Sequence, residues 1–349
     1  MILDEKKPVA GHAAEAAASR SVPWSDQVDP ALAHYGLPTT AQRKLLTLSE
    51  NATYAVGDVA GGPASVLRLH RPGYRTEAQI RSELAWLEAL HAAGDVLVPA
   101  VLKTGAGEPM AIFRTSDGAT QSAAMFEYIP GHPIPEDDIS AGMKTIGGLA
   151  GRILQHAQQW ERPGWFTRPT WDVETSMGPA GHWGYWRSNP YAGPREQAVL
   201  DAVDLKIRAD LGRYAADDGR STLIHGDMRL ANLIASRDGL CVIDFDDCGF
   251  SWRMYELACS MSFIEAHPRI EAFVDAWLEG YRSCAAVDRA DLDAVPALVM
   301  MRRMLLVGWF PTHAHTVEAR AMAQSYVADT MHIAEAFLNG RWLHGALRS

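Results

Sequence analysis

Residues 222–247 bring together side chains whose types and spacing could do chemistry. Thr222-Leu223-Ile224 runs into His225-Gly226-Asp227, Asn232 follows, and Cys241-Val242-Ile243 leads into Asp244-Phe245-Asp246-Asp247. Between the two apolar runs, Arg237-Asp238-Gly239 is a hairpin signal. The pattern predicts a strand, then a loop that carries Asp227 and Asn232, then a hairpin that returns Asp244 beside them. Phosphoryl transfer from ATP asks little covalent chemistry of a protein. It asks for a group that accepts the hydroxyl proton and for ligands that hold Mg²⁺ against the phosphates. Mg²⁺ takes oxygen ligands, commonly one or two carboxylates with phosphate and water. Asp227 is the candidate base, and Asn232 and Asp244 are the candidate metal oxygens.

Other elements must position these groups. From 44 to 69, short β-like runs at Leu45–Leu48, Thr53–Val56 and Ser65–Leu69 are separated by turn residues and predict an antiparallel meander. A helix capped by Thr76 follows, with Ile80, Leu84, Leu87 and His91 on its apolar stripe. Glu83 projects into that stripe, where a carboxylate is costly unless paired. Arg68, on the preceding strand, is its natural partner, the alternative being that both are surface charges. Strand-like pieces at 110–114 and 123–128 precede Ile129-Pro130-Gly131-His132-Pro133, which predicts a linker. The remainder is helical in pattern apart from an aromatic stretch at 160–194 and the central hairpin. The expected division is a loose extension over 1–25, a sheet-and-helix lobe over 26–128 and a larger lobe over 129–349.

The segment His225-Gly226-Asp227-x4-Asn232 followed by Ile243-Asp244-Phe245-Asp246 resembles the aminoglycoside phosphotransferase family, also called the choline kinase-like or homoserine kinase-like group. These are relatives of the protein kinases, which carry His-Arg-Asp and Asp-Phe-Gly at the corresponding places. The resemblance implies a bilobal, protein-kinase-like α+β fold. Its N-lobe would be an antiparallel sheet plus a helix, its C-lobe mainly helical with an inserted catalytic hairpin, and ATP would bind in the cleft. It implies Asp227 as catalytic base, Asn232 and Asp244 as Mg²⁺ ligands and Asp246 as an accessory carboxylate near the metal. Arg68 stands where protein kinases have a lysine that contacts the phosphates and pairs with a helix glutamate, here Glu83. The loop with Ser49 and Asn51 resembles the turn that covers the phosphates, and is equally readable as an ordinary hairpin turn. Phe126 and Tyr128 fall in what resembles the hinge, where backbone groups meet adenine. Glu256 stands where the family usually has an aspartate, in a role that orders the catalytic loop.

The resemblance implies that the acceptor is a small molecule bearing a hydroxyl: an aminoglycoside, an amino alcohol, homoserine or a sugar. Trp160, Trp165, Phe166, Trp171, Trp183, Tyr185 and Trp186 are either a cage for such a molecule or packing anchors. Trp183, Trp186 and Asp247 are the substrate candidates. His313 and His315 could bind a metal or simply line a loop. With 42 acidic against 32 basic residues, a formal charge of −10, the chain lacks the basic surface that nucleic acid or anionic membrane would favour. Its four cysteines form no Cys-x-x-Cys pair, which suits a reducing cytoplasm. The start carries charges where a signal peptide needs apolar residues, and Arg302 and Arg303 interrupt the most apolar run, 297–310, which predicts a buried helix. Two readings compete with a kinase. A nucleotide-binding pseudokinase would have lost the base or a ligand, whereas a metal-dependent hydrolase would use the Asp246/Asp247 cluster and the histidines without ATP.

Overall fold

A computed structural model describes residues 23–58, 62–134, 139–314 and 316–347. The expected extension over 1–25 lies outside them as far as residue 22, and a helix, α1 (Trp24–His34), begins just after. The chain forms two compact units, one of residues up to Tyr74 with Lys103–Met125, the other of Arg75–Leu102 with Phe126–Ser349. The division does not fall at the 128/129 boundary expected from the linker.

The smaller unit is built on antiparallel strands β1 (Gln42–Leu48), β2 (Ala52–Asp58) and β3 (Gly62–Leu69). The next strand in the sheet is β6 (Thr120–Glu127), which also pairs with β5 (Ala111–Arg114). Tyr54 faces Leu67 across β2 and β3, and Val56, Leu67, Leu69 and Ala123 are buried in its core. Helix α1 adds Val28, Ala31 and Leu32 to that core, and Tyr35 just beyond it donates to the Ala123 carbonyl (3.0 Å).

The larger unit begins with α2 (Glu77–Ala93). Thr76 accepts from the Gln79 backbone and Gln79 returns a side-chain oxygen to Thr76, closing a capping box; Gly94 ends the helix in the left-handed conformation. Ile80, Leu84 and Leu87 are buried as the stripe predicts, whereas His91 is exposed and donates from its ring to the Val98 carbonyl. Trp86 of α2 meets Phe245 edge-on, with ring centroids 5.5 Å apart. That contact ties the helix to the segment that follows the hairpin. After β4 (Val101–Leu102), the expected linker contains a short strand, β7 (Gly131–Pro133), which pairs with β9 (Leu233–Ser236). Pro133 in it lacks an N–H donor, but an edge strand tolerates this.

Helices α3 (Ile139–Gln159) and α7 (Ile270–Arg282) pack so closely that a Cβ on Gly147 would strike the Trp277 carbonyl oxygen. The hairpin β9–β10 (Gly239–Val242) carries the metal-side segment. Strands β8 (Ser221–Ile224) and β11 (Gly249–Trp252) pair antiparallel beside it. The remaining helices are α4 (Val173–Met177), α5 (Pro194–Tyr214), α6 (Tyr255–Ser260), α8 (Arg289–Thr312) and α9 (Val317–Leu338). Among the described residues α8 is the one helix long and apolar enough to cross a membrane, and it is mostly buried in this unit. The apolar run 297–310 lies inside it, arginines included.

Candidate active site

Strand β8 delivers His225-Gly226-Asp227 at its end. Gly226 sits at φ 80°, and a Cβ there would collide with the Asp247 backbone oxygen, so the position needs glycine on two grounds. The His225 and Gly226 amides lack strand partners. Both donate to Glu256 at the start of α6, at 2.7 and 3.2 Å. Glu256 thus orders the loop from beneath, and its burial raises its carboxyl to about 7.

His225 is fully buried. Its Nδ1 accepts from the Asp227 amide (3.2 Å), so Nε2 carries the proton and donates to the Ile243 carbonyl (3.0 Å). The Ile243 amide in turn donates to the Asn232 carbonyl (3.0 Å). Ile243 therefore staples the catalytic loop on one side and the Asn232 turn on the other, and the next residue is Asp244. Asp244 holds φ 63° and ψ 67°, a left-handed conformation that a non-glycine residue adopts at a cost and that recurs at functional sites. Phe245 anchors it from below, packed against the His225 ring at 4.5 Å and on Trp86.

Asp227 is half-buried, and its carboxylate is gripped from three sides. Arg229 Nε reaches both oxygens (3.0 and 3.2 Å), Arg302 Nη2 meets Oδ1 (2.8 Å) and Asn232 Nδ2 meets Oδ2 (2.8 Å). Asn232 Nδ2 also donates to the Asp227 carbonyl (2.7 Å). The amide nitrogen is spent on these two oxygens, which leaves the amide oxygen as its remaining donor toward a cation. With the exposed Asp244 carboxylate, that makes two oxygen ligands of the kind Mg²⁺ accepts beside phosphate and water. Asn232 and Asp244 fit a divalent cation of this class.

The other expected residues are placed as follows. Asp246 is buried, and its backbone carbonyl takes Arg75 and Arg168. Among the described residues no group of three or more His, Cys, Asp or Glu is gathered to hold a metal. Asp247 is ion-paired with Arg75 (2.6 Å). Trp186 is fully buried, with the Arg187 guanidinium 4.6 Å from its ring. Trp183 is buried and lies 4.6 Å beneath the Arg302 guanidinium. His313 is buried and stacked on Trp309 (4.5 Å), while His315 lies outside the described residues.

Glu83 is fully buried in the larger unit and Arg68 is buried on β3 of the smaller one, so neither is a surface charge. In the smaller unit the Asn51 side-chain oxygen accepts from the Arg71 amide (3.1 Å), and the Ser49 amide donates to the Asn51 carbonyl (3.1 Å), so the β1–β2 turn is internally fixed. Phe126 is buried and Tyr128 half-buried in the larger unit, where the intervening Glu127 amide donates to the Ala100 carbonyl (2.9 Å). Arg302 and Arg229 were not among the candidates. A signal for Arg302 existed, because an arginine inside an apolar helix must be paired once buried.

The family model described as "Phosphotransferase enzyme family" (APH) matches residues 43–294, more than two thirds of the chain. Among solved structures, a microcompartment-associated aminopropanol kinase is 35% identical, with TM-score 0.83 over 91% of this chain and 98% of that one. An amicoumacin kinase in complex with AMP-PNP, Ca²⁺ and Ami shares the fold at 19% identity, with TM-score 0.66 over 86% of this chain and 89% of that one. The amicoumacin kinase of Bacillus subtilis (strain 168) is 22% identical over 80% of this chain and 82% of its own length. The chain belongs to the phosphotransferase enzyme family and is a small-molecule kinase.

Proposed function

We propose that the protein moves the γ-phosphoryl group of ATP, bound with Mg²⁺, to the hydroxyl of a small amino alcohol of the aminopropanol type. The observation that carries the reading is the arrangement about Asn232. Its amide nitrogen holds Asp227, its oxygen is left toward a cation, and its backbone carbonyl accepts from the amide of Ile243, the residue before Asp244. Asp227 orients the acceptor hydroxyl and takes its proton, while Asn232 and Asp244 hold the metal. Held by Asn232 and Asp244, a metal would neutralise phosphate charge there. The reading gives Arg68 contact with the nucleotide phosphates. The choice of acceptor is supported by the likeness to the aminopropanol kinase, and an acidic chain suits a cationic acceptor.

The test is ADP release with Mg-ATP and a panel of 1-amino-2-propanol, ethanolamine, choline, homoserine, a hexose and an aminoglycoside, with the phosphorylated product identified by mass. The expected result is an O-phosphorylated amino alcohol, formed with a kcat/KM at least about tenfold above that for the sugar or aminoglycoside, a margin of roughly 1.4 kcal/mol. Preference for the aminoglycoside or the hexose would overturn the choice of acceptor. Phosphate release without ATP would overturn the kinase chemistry.

A further inference from the structure

Arg302 and Arg303 are adjacent in α8, equally buried, and differently employed. Arg303 has an enclosed set of partners: Glu265 (2.8 Å), Thr330 (2.9 Å) and the Tyr326 carbonyl (2.8 Å), with the Tyr326 hydroxyl closing on the other Glu265 oxygen (2.9 Å). Arginine and glutamate are both buried there, which describes a structural ion pair. Arg302 has its salt bridge with Asp227, a half-buried carboxylate at the working end of the catalytic loop.

The remaining contacts of Arg302 read as a mounting. Nε donates to Ser262 Oγ (2.9 Å), and that hydroxyl spends its own proton on the Cys259 carbonyl (2.7 Å), which fixes its lone pairs toward the arginine. Nη1 donates to the Gly226 carbonyl (3.3 Å). One face of the guanidinium lies over Trp183. The Trp183 carbonyl is held by Thr312 (2.9 Å), and Gly184 approaches Gly308 so closely that a Cβ on either would meet the other's backbone oxygen. A rigid fork, fixed by a stacked ring below and an acceptor at Nε, aims Nη2 at Asp227 Oδ1. Arg229 approaches the same carboxylate differently. Its side chain is 29% exposed against 1% for Arg302, and its guanidinium lies 5.3 Å from the half-buried Phe263 ring.

We propose that Arg302 is the positioning residue of Asp227: mounted on Trp183 and keyed to Ser262, it fixes through Oδ1 the orientation in which the carboxylate meets the acceptor hydroxyl. The proposal rests on Asp227 being the base. It assigns Trp183 a place behind the arginine instead of against the acceptor. Arg302 acts through Asp227 and touches neither substrate, so its loss falls on the step in which the acceptor hydroxyl is aligned. Binding of nucleotide and acceptor is left largely in place.

The test compares wild type with Arg302→Lys, Arg302→Met, Ser262→Ala, Arg303→Lys and Asp227→Ala, measuring Tm, nucleotide-analogue affinity, and kcat and KM for both substrates. Misplacement of a reacting group by about 1 Å costs on the order of 100-fold. The expected fall in kcat is of about that size for Arg302→Met and smaller for Arg302→Lys, which keeps the charge but not the fork. Ser262→Ala is expected to lose kcat about threefold or more, with every KM within about threefold of wild type. Arg303→Lys lowers Tm and leaves kcat of the folded enzyme unchanged. If Arg302→Met does not fold, Arg302→Lys and Ser262→Ala carry the test. The proposal is overturned if those two keep wild-type kcat while Asp227→Ala is inactive, or if their losses appear as KM changes that Arg303→Lys shares. Turnover by Asp227→Ala would instead overturn the reading of the base.

Discussion

The catalytic loop depends on a buried histidine that its surroundings hold neutral. Burial holds His225 down to about 4, from an ordinary 6.5, against the raising influence of Asp227 and the Ile243 carbonyl. The neutral ring is the form its contacts require: Nδ1 receives the Asp227 amide, and a proton there would break that bond. The folded value lies below the unfolded one. The stability that neutral His225 contributes is therefore complete above about pH 6.5 and is lost as pH falls toward 4. At pH 5 the loss is on the order of 2 kcal/mol. Glu256 contributes with the opposite sign, because its folded value is raised, so the two must be separated by variant. Denaturant unfolding at pH 7.5 and pH 5 is expected to show a smaller acid-side loss in His225→Gln than in wild type; equal losses would contradict the assignment. The closeness of Asp227 and Asn232 was legible in the sequence because both lie on one short loop that leads into the hairpin. Arg302 was not, since it lies 75 positions beyond Asp227 and only packing brings it back.

At the scale of elements, α8 holds strand β8, which delivers His225-Gly226-Asp227, at two places. Near its start, the fully buried Asp291 receives Arg220 (2.9 Å), Arg253 (2.6 Å) and the Tyr214 hydroxyl (2.7 Å), while its backbone closes the helix cap with Asp288. Arg220 and Arg253 flank the outer ends of β8 and β11, and the Arg253 amide donates to the Arg220 carbonyl (2.9 Å). Eleven residues on, about 16 Å along the helix axis, Arg302 holds the inner end of β8 through Gly226 and Asp227. Strand and helix are thus joined at both ends. Asp291→Ala leaves two arginines facing a vacancy, and breaking a buried pair in this way costs about 3–5 kcal/mol. A fall in Tm of roughly 10 °C is expected; a Tm within about 2 °C of wild type would contradict the anchoring role. The hairpin, α2 and the first three strands were readable from turn residues, caps and alternation. Helix α1 was not, because Trp24-Ser25-Asp26 follows an alanine- and serine-rich start and Pro30 interrupts its pattern. β7 was missed for a related reason: Pro-Gly-His-Pro reads locally as a break, and its pairing with β9 is set about a hundred residues away.

For the whole molecule, the fold class and the kind of chemistry were legible, while the acceptor was not. Motif and mechanism depend on a few residues with fixed spacing. Acceptor choice depends on how side chains distant in sequence are brought together around a pocket, and sequence order says little about such adjacency. The aromatic stretch illustrates this: Trp183 and Trp186 are equally prominent in the sequence, yet Trp183 lies under Arg302 of α8, which bonds Asp227, and Trp186 lies under Arg187. The chain is acidic overall, and still two guanidiniums converge on its central carboxylate. Everything in the site is arranged about Asp227. The most direct measurement is therefore Asp227→Asn, which keeps the shape of the side chain and removes its ability to take a proton. The expected result is phosphorylation of 1-amino-2-propanol slowed by about 10²–10⁴-fold, the usual contribution of a positioned acid–base group, with ATP-analogue binding retained. Turnover within about twofold of wild type would contradict the central claim that Asp227 is the base.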